Sequence, residues 1–279
     1  MEMTVRKIAD FMEQWAPLSY AESYDNPGLI VGREDAAVSG VMLSVDASES
    51  VIRQAIEKKA DLLLAHHPLI FHPLRKVSDQ DLIGKRVLLL AESRIALYAA
   101  HTNLDSAPGG NIDRAAALLG LTNVRAVGAE GEIPCLRIGQ LEKGMTLKEL
   151  ADHTAEVFSL DGVRVIGDPA RPMQKVALVT GSGMDFADLA ADMGADVLLT
   201  GDITYHKADE ALSKGLSLID ATHFGTDRLS LTWIRDELSA FFSKEKADVE
   251  IWIAEEEDPL RPLGAVRSEE SKLGRKGGQ

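Results

Sequence analysis

From residue 41 onward, short apolar runs of strand length alternate with longer stretches in which apolar residues recur at helical spacing. The first runs are GVMLSV, DLLLA and IALYAA, with helices predicted near 48–59 and 80–93 between them. This βαβαβ order implies neighbouring parallel strands joined by right-handed crossovers, because parallel strands need a long connection and only one hand packs well. The pattern therefore predicts an α/β fold.

The remainder of the chain extends this pattern on both sides. An amphipathic helix is predicted over 4–15, and another helix near 111–119. A second α/β series follows, with predicted strands CLRIGQL, VRVIG, KVALVT, DVLLT, LSLID and VEIWIA and helices near 146–158, 185–193, 205–214 and 226–242. The chain thus contains two similar series of elements.

The domain organisation follows from where the pattern lapses. Residues 121–133 contain Gly and Glu and are predicted to form a connector between two lobes. We predict an N-terminal α/β lobe over 1–125 and a second α/β lobe over 126–255. Residues 256–279 are rich in charged residues, Pro, Ser and Gly and are predicted to form a flexible tail.

Composition limits the partners that we expect. Forty-four acidic against thirty basic residues give a formal net charge of −14, which repels a phosphate backbone, so nucleic acid is not expected as a partner. No run is apolar and long enough to cross a bilayer, and the first dozen residues lack the apolar core of a secretory signal. A cytoplasmic protein is expected. Because Cys135 is the single cysteine, a metal site would depend on His and carboxylate ligands.

Residues that can bind metals follow the predicted strands where these strands end. In open parallel sheets, ligands bind beyond the carboxyl ends of strands, because loops from several strands converge there. Five of the seven histidines lie on these loops or just beyond them. The strand-end residues are Ser44, Asp46, His66, His67, His101, Asp105, Gly181–Gly183, Gly201, Asp202 and His223.

His66 and His67 are adjacent and are followed by Pro68, which keeps the chain extended as it leaves the strand. Successive residues of an extended chain point to opposite sides, so each imidazole could serve one of two neighbouring metal ions. The alternative is one core histidine and one surface histidine.

His223 and Asp227 are four residues apart at the start of a predicted helix, which would place both side chains on one face. Asp227 could instead satisfy the free N–H groups of a helix N-terminus without any metal.

Asp105 lies in a loop four residues after His101 and could bring a carboxylate over a cleft. The Asp105 carboxylate could instead accept a hydrogen bond within a turn.

Other candidates are less specific. His206 could act as a general acid, and His72 and His206 could orient metal ligands, although both could also be surface residues. The loop VTGSG, which precedes a predicted helix, is a tight turn or, in the alternative, an anion site.

Several motifs in one order resemble the Nif three-like family of dinuclear-metal proteins, often labelled GTP cyclohydrolase 1 type 2 homologues. The resemblance covers residues 4–255. It is carried by YDNPGLIVG (24–32), SVDAS (44–48), HHP (66–68), HTNLD (101–105), TGD (200–202) and THFGTD (222–227).

This resemblance implies a two-lobed fold with mainly parallel sheets, a metal cleft between the lobes and a homohexameric ring. It implies that two divalent ions are held by five residues: His66, His67, Asp105, His223 and Asp227. The chain departs from the family at Asp227, where glutamate is usual, and at Asp202, where TGE often occurs. The shorter Asp227 could alter a bridging geometry.

The leading hypothesis is a metal-dependent hydrolase that acts on a nucleotide or another small phosphorylated or heterocyclic substrate. His101 and His206 are the candidate catalytic residues. Mixed His and carboxylate ligation suits Zn, Mn, Fe or Ni, and the sequence does not choose among them. Whether the protein is an enzyme stays open, because a non-enzymatic metal-binding or regulatory hexameric ring has the same ligands.

Overall fold

The computed structural model of the chain describes residues 2–128 and 133–260. The helices are Val5–Trp15 (α1), Glu49–Lys58 (α2), Leu82–Glu92 (α3), Thr102–Ser106 (α4), Asn111–Leu118 (α5), Leu147–Val157 (α6), Ala187–Asp192 (α7), Tyr205–Ser213 (α8), His223–Asp227 (α9) and Leu229–Glu245 (α10). The strands are Gly28–Val31 (β1), Gly40–Ser44 (β2), Leu62–Ala65 (β3), Ala96–Ala99 (β4), Leu121–Val127 (β5), Leu136–Thr146 (β6), Arg164–Ile166 (β7), Pro172–Ser182 (β8), Val197–Gly201 (β9), Ser217–Asp220 (β10) and Glu250–Ile253 (β11). None of the helices in the described ranges has the length and hydrophobicity needed to span a bilayer.

Side-chain caps determine where several helices begin. Ser48 accepts a hydrogen bond from the Val51 N–H at the start of α2, and Asp81 accepts one from the Gly84 N–H at the start of α3. At α6, Thr146 and Glu149 form a reciprocal capping box. Each cap satisfies an N–H group that has no partner within its helix.

The first sheet has the strand order β1-β4-β3-β2-β11. Strands β4, β3, β2 and β11 are parallel neighbours, and β1 is antiparallel to β4. The apolar faces of α1 and α10 pack on one side of this sheet, and those of α2 and α3 pack on the other. Burial on both sides explains why β2, β3 and β4 are continuous apolar runs rather than alternating patterns.

The second sheet has the order β5-β6-β8-β9-β10-β7 and is mixed. Strands β8, β9 and β10 are parallel neighbours, whereas β5, β6 and β7 each pair antiparallel. Helices α5, α6 and α7 contribute apolar residues to its core. The predicted fold class, an α/β protein with helical crossovers, is confirmed. Sheets that are mainly parallel were expected, and this holds for the first sheet, whereas three of the five strand pairings in the second sheet are antiparallel.

Three details differ from the sequence prediction. The predicted connector is wrong over residues 121–127, because these residues form β5 at the edge of the second sheet; residues 129–132 lie outside the described residues. The predicted helix over 226–242 is two helices that meet at Arg228. The final strand β11 pairs with β2, so the chain returns to the first sheet after completing the second.

The division into lobes at residues 125 and 126 stays a prediction. Most of the predicted tail, residues 261–279, lies outside the described residues. At its start the Glu256 carboxylate accepts hydrogen bonds from the backbone N–H groups of Val45 and Asp46, at 2.8 and 3.0 Å. These bonds attach the first tail residues to the loop after β2.

Candidate metal centre

The carboxyl ends of strands from both sheets meet at one cavity of about 380 Å³. The first sheet contributes residues from the loops after β3 and β4, and the second contributes residues from β8 and from α9, which follows β10. The lining residues of interest are His66, His67, His101, Asp105, Thr180, Gly181, His223 and Asp227. The general rule that ligands bind beyond the carboxyl ends of parallel strands therefore holds for both sheets.

All five predicted metal ligands lie together in this cavity. The Nε2 atom of His66 is 3.7 Å from Asp105 Oδ2 and 3.8 Å from Asp227 Oδ1. On the other side of the same carboxylate, Asp227 Oδ2 is 3.2 Å from His67 Nε2 and 3.0 Å from His223 Nε2. The Asp227 carboxylate thus lies between two groups of ligand atoms.

The imidazoles are oriented by hydrogen bonds at Nδ1. An Nδ1–H donor on each ring makes Nε2 the atom that can bind a metal ion or carry a second proton, and all four Nε2 atoms belong to rings that line the cavity. The acceptors are Ala100 O for His66 at 2.8 Å, Asp46 Oδ1 for His67 at 3.0 Å, Asp25 Oδ1 for His101 at 2.8 Å and Asp202 Oδ2 for His223 at 2.7 Å. Such outer hydrogen bonds are usual in metal sites.

The environment of the two carboxylates fits a divalent ion. The Asp227 side chain is 2% exposed, and its Oδ1 atom has no hydrogen-bond partner among the described residues. A buried carboxylate oxygen without a partner is costly, and a cation beside it removes that cost. Asp105 Oδ1 accepts bonds from Asn111 Nδ2 at 2.9 Å and Thr180 Oγ1 at 3.2 Å, so Oδ2 is the atom toward His66. Three imidazoles and two carboxylates suit a transition-metal ion.

The charges within the cluster are strongly coupled. Burial opposes ionisation of Asp227, but the nearby His66 and hydrogen bonds from His223 and His67 lower its pKa below the usual range. Burial also disfavours charge on His67 and His223, yet hydrogen bonds to Asp227 raise their pKa values to about 10 and about 9. Burial lowers the pKa of His66. A cation bound at the Nε2 atoms of His67 and His223 would therefore replace the protons that these two imidazoles carry.

Two glycines allow the close approach of the second-sheet strands to α9. Gly181 has a positive φ of 62°, and a Cβ atom there would lie 3.2 Å from Asp227 Oδ1. A Cβ atom on Gly201 would lie 2.5 Å from the backbone nitrogen of His223. Thr222, just before α9, has a φ of 58°, a conformation that is rare for a β-branched residue and is often found at functional sites.

His101 joins the cluster. Its ring centroid lies 5.3 Å from those of both His66 and His67, and ligand atoms of the three residues lie within 4.8 Å of one another. Its backbone N–H donates to Asn103 Oδ1, and its Nδ1 to the fully buried Asp25 side chain. The structure therefore places His101 where it can assist chemistry or bind a metal.

The other two candidate histidines do not join the cluster. His206 lies in the first turn of α8, where its ring is exposed beside Tyr205 rather than in the cavity. His72 is exposed on the loop after β3 and packs against Phe71. The expectation that ligands gather at the carboxyl ends of strands does not extend to these two residues, since both lie several positions past a strand.

Several supporting residues were not identified from the sequence. Asn111 and Thr180, which orient Asp105, lie at the start of a helix and within a strand, where no motif marks them. The VTGSG segment, predicted as a loop, is instead the end of β8, which runs to Ser182. Gly181 N–H donates to Thr226 Oγ1 and Gly183 N–H donates to Thr200 Oγ1, both at 2.8 Å, so these two N–H groups are already paired and do not support an anion site.

Comparison with known proteins agrees with the motifs. The family described as Duf34/NIF3 (NGG1p interacting factor 3) matches residues 3–259. A Clostridium acetobutylicum protein named GTP cyclohydrolase 1 type 2 homolog is 33% identical over 266 residues, which cover 94% of this chain and 99% of that protein. The Bacillus cereus protein related to NIF3 has a TM-score of 0.86 at 24% identity, over 94% of this chain and 100% of that one. Reduced HcgD from Methanocaldococcus jannaschii has a TM-score of 0.75 at 30% identity, over 91% and 98% of the two chains. The chain belongs to the Duf34/NIF3 family.

Proposed function

We propose that the protein binds two divalent metal ions between His66, His67, Asp105, His223 and Asp227 and is a metal-dependent hydrolase. The observation that carries this proposal is the position of the Asp227 carboxylate. Its Oδ1 atom faces His66, and its Oδ2 atom faces His67 and His223. Each oxygen of this carboxylate could therefore contribute to a different ion, together with the imidazoles beside it.

The bound ions would supply a water of lowered pKa and would polarise a phosphoryl or carbonyl oxygen of the substrate. Zn, Mn, Fe and Ni are all compatible with the ligand set. His101 contributes a ring whose Nδ1–H is held by Asp25, so its Nε2 atom can take or give a proton in the cavity. Asp105, held by Asn111 and Thr180, presents one oxygen toward His66.

The substrate class proposed is a nucleotide or another small phosphorylated or heterocyclic molecule. The names of curated relatives, GTP cyclohydrolase 1 type 2 homolog, support a nucleotide-like class. The cavity of about 380 Å³ is within the usual range for small-molecule sites. A homohexameric ring, expected from the resemblance, is part of this proposal, and light scattering on the purified full-length chain measures it directly.

The test uses the full chain loaded with Mn or Zn and a panel of nucleotides and phosphorylated heterocycles. We expect metal-dependent hydrolysis of at least one compound, with loss of that activity in His66→Ala. His153→Ala, which changes a histidine on α6 outside the cavity, serves as the matched control. Unchanged turnover in His66→Ala contradicts the proposal. Two bound ions without any turnover would favour the alternative of a non-enzymatic metal-binding ring.

A further inference from the structure

Two exposed aromatic side chains lie at the cavity that holds the metal cluster. Tyr24 is 61% exposed and Phe71 is 38% exposed, although both are large rings that proteins usually bury. Their ring centroids are 6.1 Å apart, at an angle of 45°, and both residues line the cavity. We call Tyr24 and Phe71 the aromatic wall.

The aromatic wall is continuous with the metal cluster. The Phe71 ring is 6.5 Å from that of His101 in an edge-to-face arrangement, and His101 is in turn 5.3 Å from His66 and His67. A planar group lying on the wall would therefore lie beside His101 and close to the metal ligands. Further apolar lining comes from Ile112, Val179 and Phe186.

A carboxylate lies at the same end of the cavity. The thiol of Cys135 donates a hydrogen bond to Glu22 Oε1 at 2.8 Å, and burial raises the pKa of that thiol to about 12, so the thiol stays protonated. Glu22 Oε2 has no hydrogen bond from any described residue and is available to accept one from a ligand. The Glu22 backbone N–H donates to Thr102 Oγ1 at 3.0 Å, which fixes this segment beside the loop of His101.

The Tyr24 hydroxyl adds a second polar group to the wall. Partial burial and the nearby Glu22 carboxylate raise the pKa of Tyr24 to about 12, so the phenol stays a neutral hydrogen-bond donor. In the part of the chain that the structure describes, neither this hydroxyl nor Glu22 Oε2 forms a hydrogen bond with any of the five predicted metal ligands.

We propose that Tyr24, Phe71 and Glu22 form a subsite for a planar heteroaromatic ring with an N–H or amino donor on its edge. The ring would stack on the aromatic wall, and its donor would bind Glu22 Oε2. This inference deepens the proposed function and rests on it in one respect, since it places the substrate in the same cavity. It assigns substrate selection to residues that are separate from the five metal ligands.

The test measures nucleoside binding by calorimetry on the metal-loaded full chain. Guanosine supplies a stacking face and N–H donors, whereas purine riboside supplies a similar face without those donors. We expect Tyr24→Ala and Phe71→Ala each to weaken both nucleosides about tenfold, the effect of removing one stacking partner. Glu22→Gln should weaken guanosine roughly fivefold, because a charge-assisted hydrogen bond becomes a neutral one, and should leave purine riboside unchanged.

Tyr205→Ala is the matched control, because Tyr205 is an aromatic residue that is 82% exposed and lies outside the cavity. Thermal unfolding of each variant checks that the exposed substitutions leave the fold intact. The inference is overturned if guanosine shows no saturable binding at millimolar concentration. It is also overturned if Tyr24→Ala and Tyr205→Ala bind both nucleosides equally well.

Failure of this inference is distinguishable from failure of the proposed function. Nucleoside binding is measured separately from turnover, so it tests the aromatic wall whether or not the protein hydrolyses any compound. His66→Ala should lose metal-dependent turnover and still bind guanosine within about threefold of the unchanged protein. Hydrolysis that is lost in His66→Ala but unaffected by changes in the aromatic wall would support the proposed function and refute the subsite.

Discussion

The two sides of the Asp227 carboxylate differ in their access to solvent. On the inner side lie His66 and Asp105, whose side chains are 1% and 14% exposed. On the outer side lie His67 and His223, at 23% and 33%. We call these the inner half and the outer half of the cluster. An ion in the inner half would be more fully enclosed by protein, and one in the outer half would be open to substrate.

The two halves also differ in what orients their imidazoles. His66 donates to the backbone carbonyl of Ala100, at the end of β4, which no side-chain substitution removes. His67 and His223 donate instead to the carboxylates of Asp46 and Asp202, whose side chains are 54% and 40% exposed. The inner half is thus built into the sheet, whereas the outer half depends on replaceable and partly exposed groups.

The largest effect on metal content is expected from Asp227→Ala, because the Asp227 carboxylate belongs to both halves of the cluster. Its removal takes one oxygen from each group of ligands, so, if two ions bind as proposed, we expect the metal content of the purified protein to fall from two ions per chain to none. Elemental analysis measures this change. Asp152→Ala, which removes an exposed carboxylate on α6, is the control. Retention of one ion in Asp227→Ala would show that the halves are independent.

Single imidazole substitutions separate the halves. We expect His223→Ala to lose the outer ion and keep the inner one, because His66, Asp105 and Asp227 remain in place. Metal content per chain should fall from two to one, with His153→Ala unchanged. Anomalous diffraction then locates the ion that remains. If His223→Ala keeps both ions, or loses the inner one first, the comparison between the halves is wrong.

Asp202→Asn should have a smaller effect, confined to the outer half. The Asn amide can still occupy the space, but the charged acceptor of the His223 Nδ1–H is lost. Removal of such an orienting group lowers metal affinity by roughly 10- to 100-fold in known sites. Competition with a chelator of known affinity should show a weakened outer ion and an unchanged inner ion. Equal weakening of both ions would contradict the distinction.

The first sheet shows how much of the fold could be predicted. Strands β2, β3 and β4 are buried on both faces, so each is an unbroken apolar run that the sequence reveals directly. Strand β5 was missed, because residues 122–126 are exposed and give no apolar run. Whether β6 and β8 pair parallel or antiparallel also depends on tertiary pairing, which no local pattern records.

The candidate site was predictable for a related reason. His66, His67, His101 and His223 lie within three residues of the ends of β3, β4 and β10, and the carboxyl ends of parallel strands share one edge of a sheet. Asp46 and Asp202 occupy strand ends too, but their role toward His67 and His223 requires knowledge of which strands are adjacent. The partners of Asp105 could not be predicted, since they come from different elements.

The smallest effect on metal content is expected from Asp25→Asn, because Asp25 belongs to neither half of the cluster. Asp25 accepts the His101 Nδ1–H and the Asn26 N–H through Oδ1, and the N–H and hydroxyl of Thr102 through Oδ2. An asparagine has one oxygen and cannot serve both sides, so His101 or Thr102 loses its acceptor.

We therefore expect Asp25→Asn to keep two ions and to lose roughly tenfold in turnover, since groups that orient a functional residue typically act on this scale. Elemental analysis and steady-state kinetics on the same preparation measure both quantities, and thermal unfolding checks the fold. His101→Ala should follow the same pattern with a larger loss of turnover, because it removes the ring itself. If His101→Ala instead loses the inner ion, His101 is a metal ligand and the inner half contains a second imidazole beside His66.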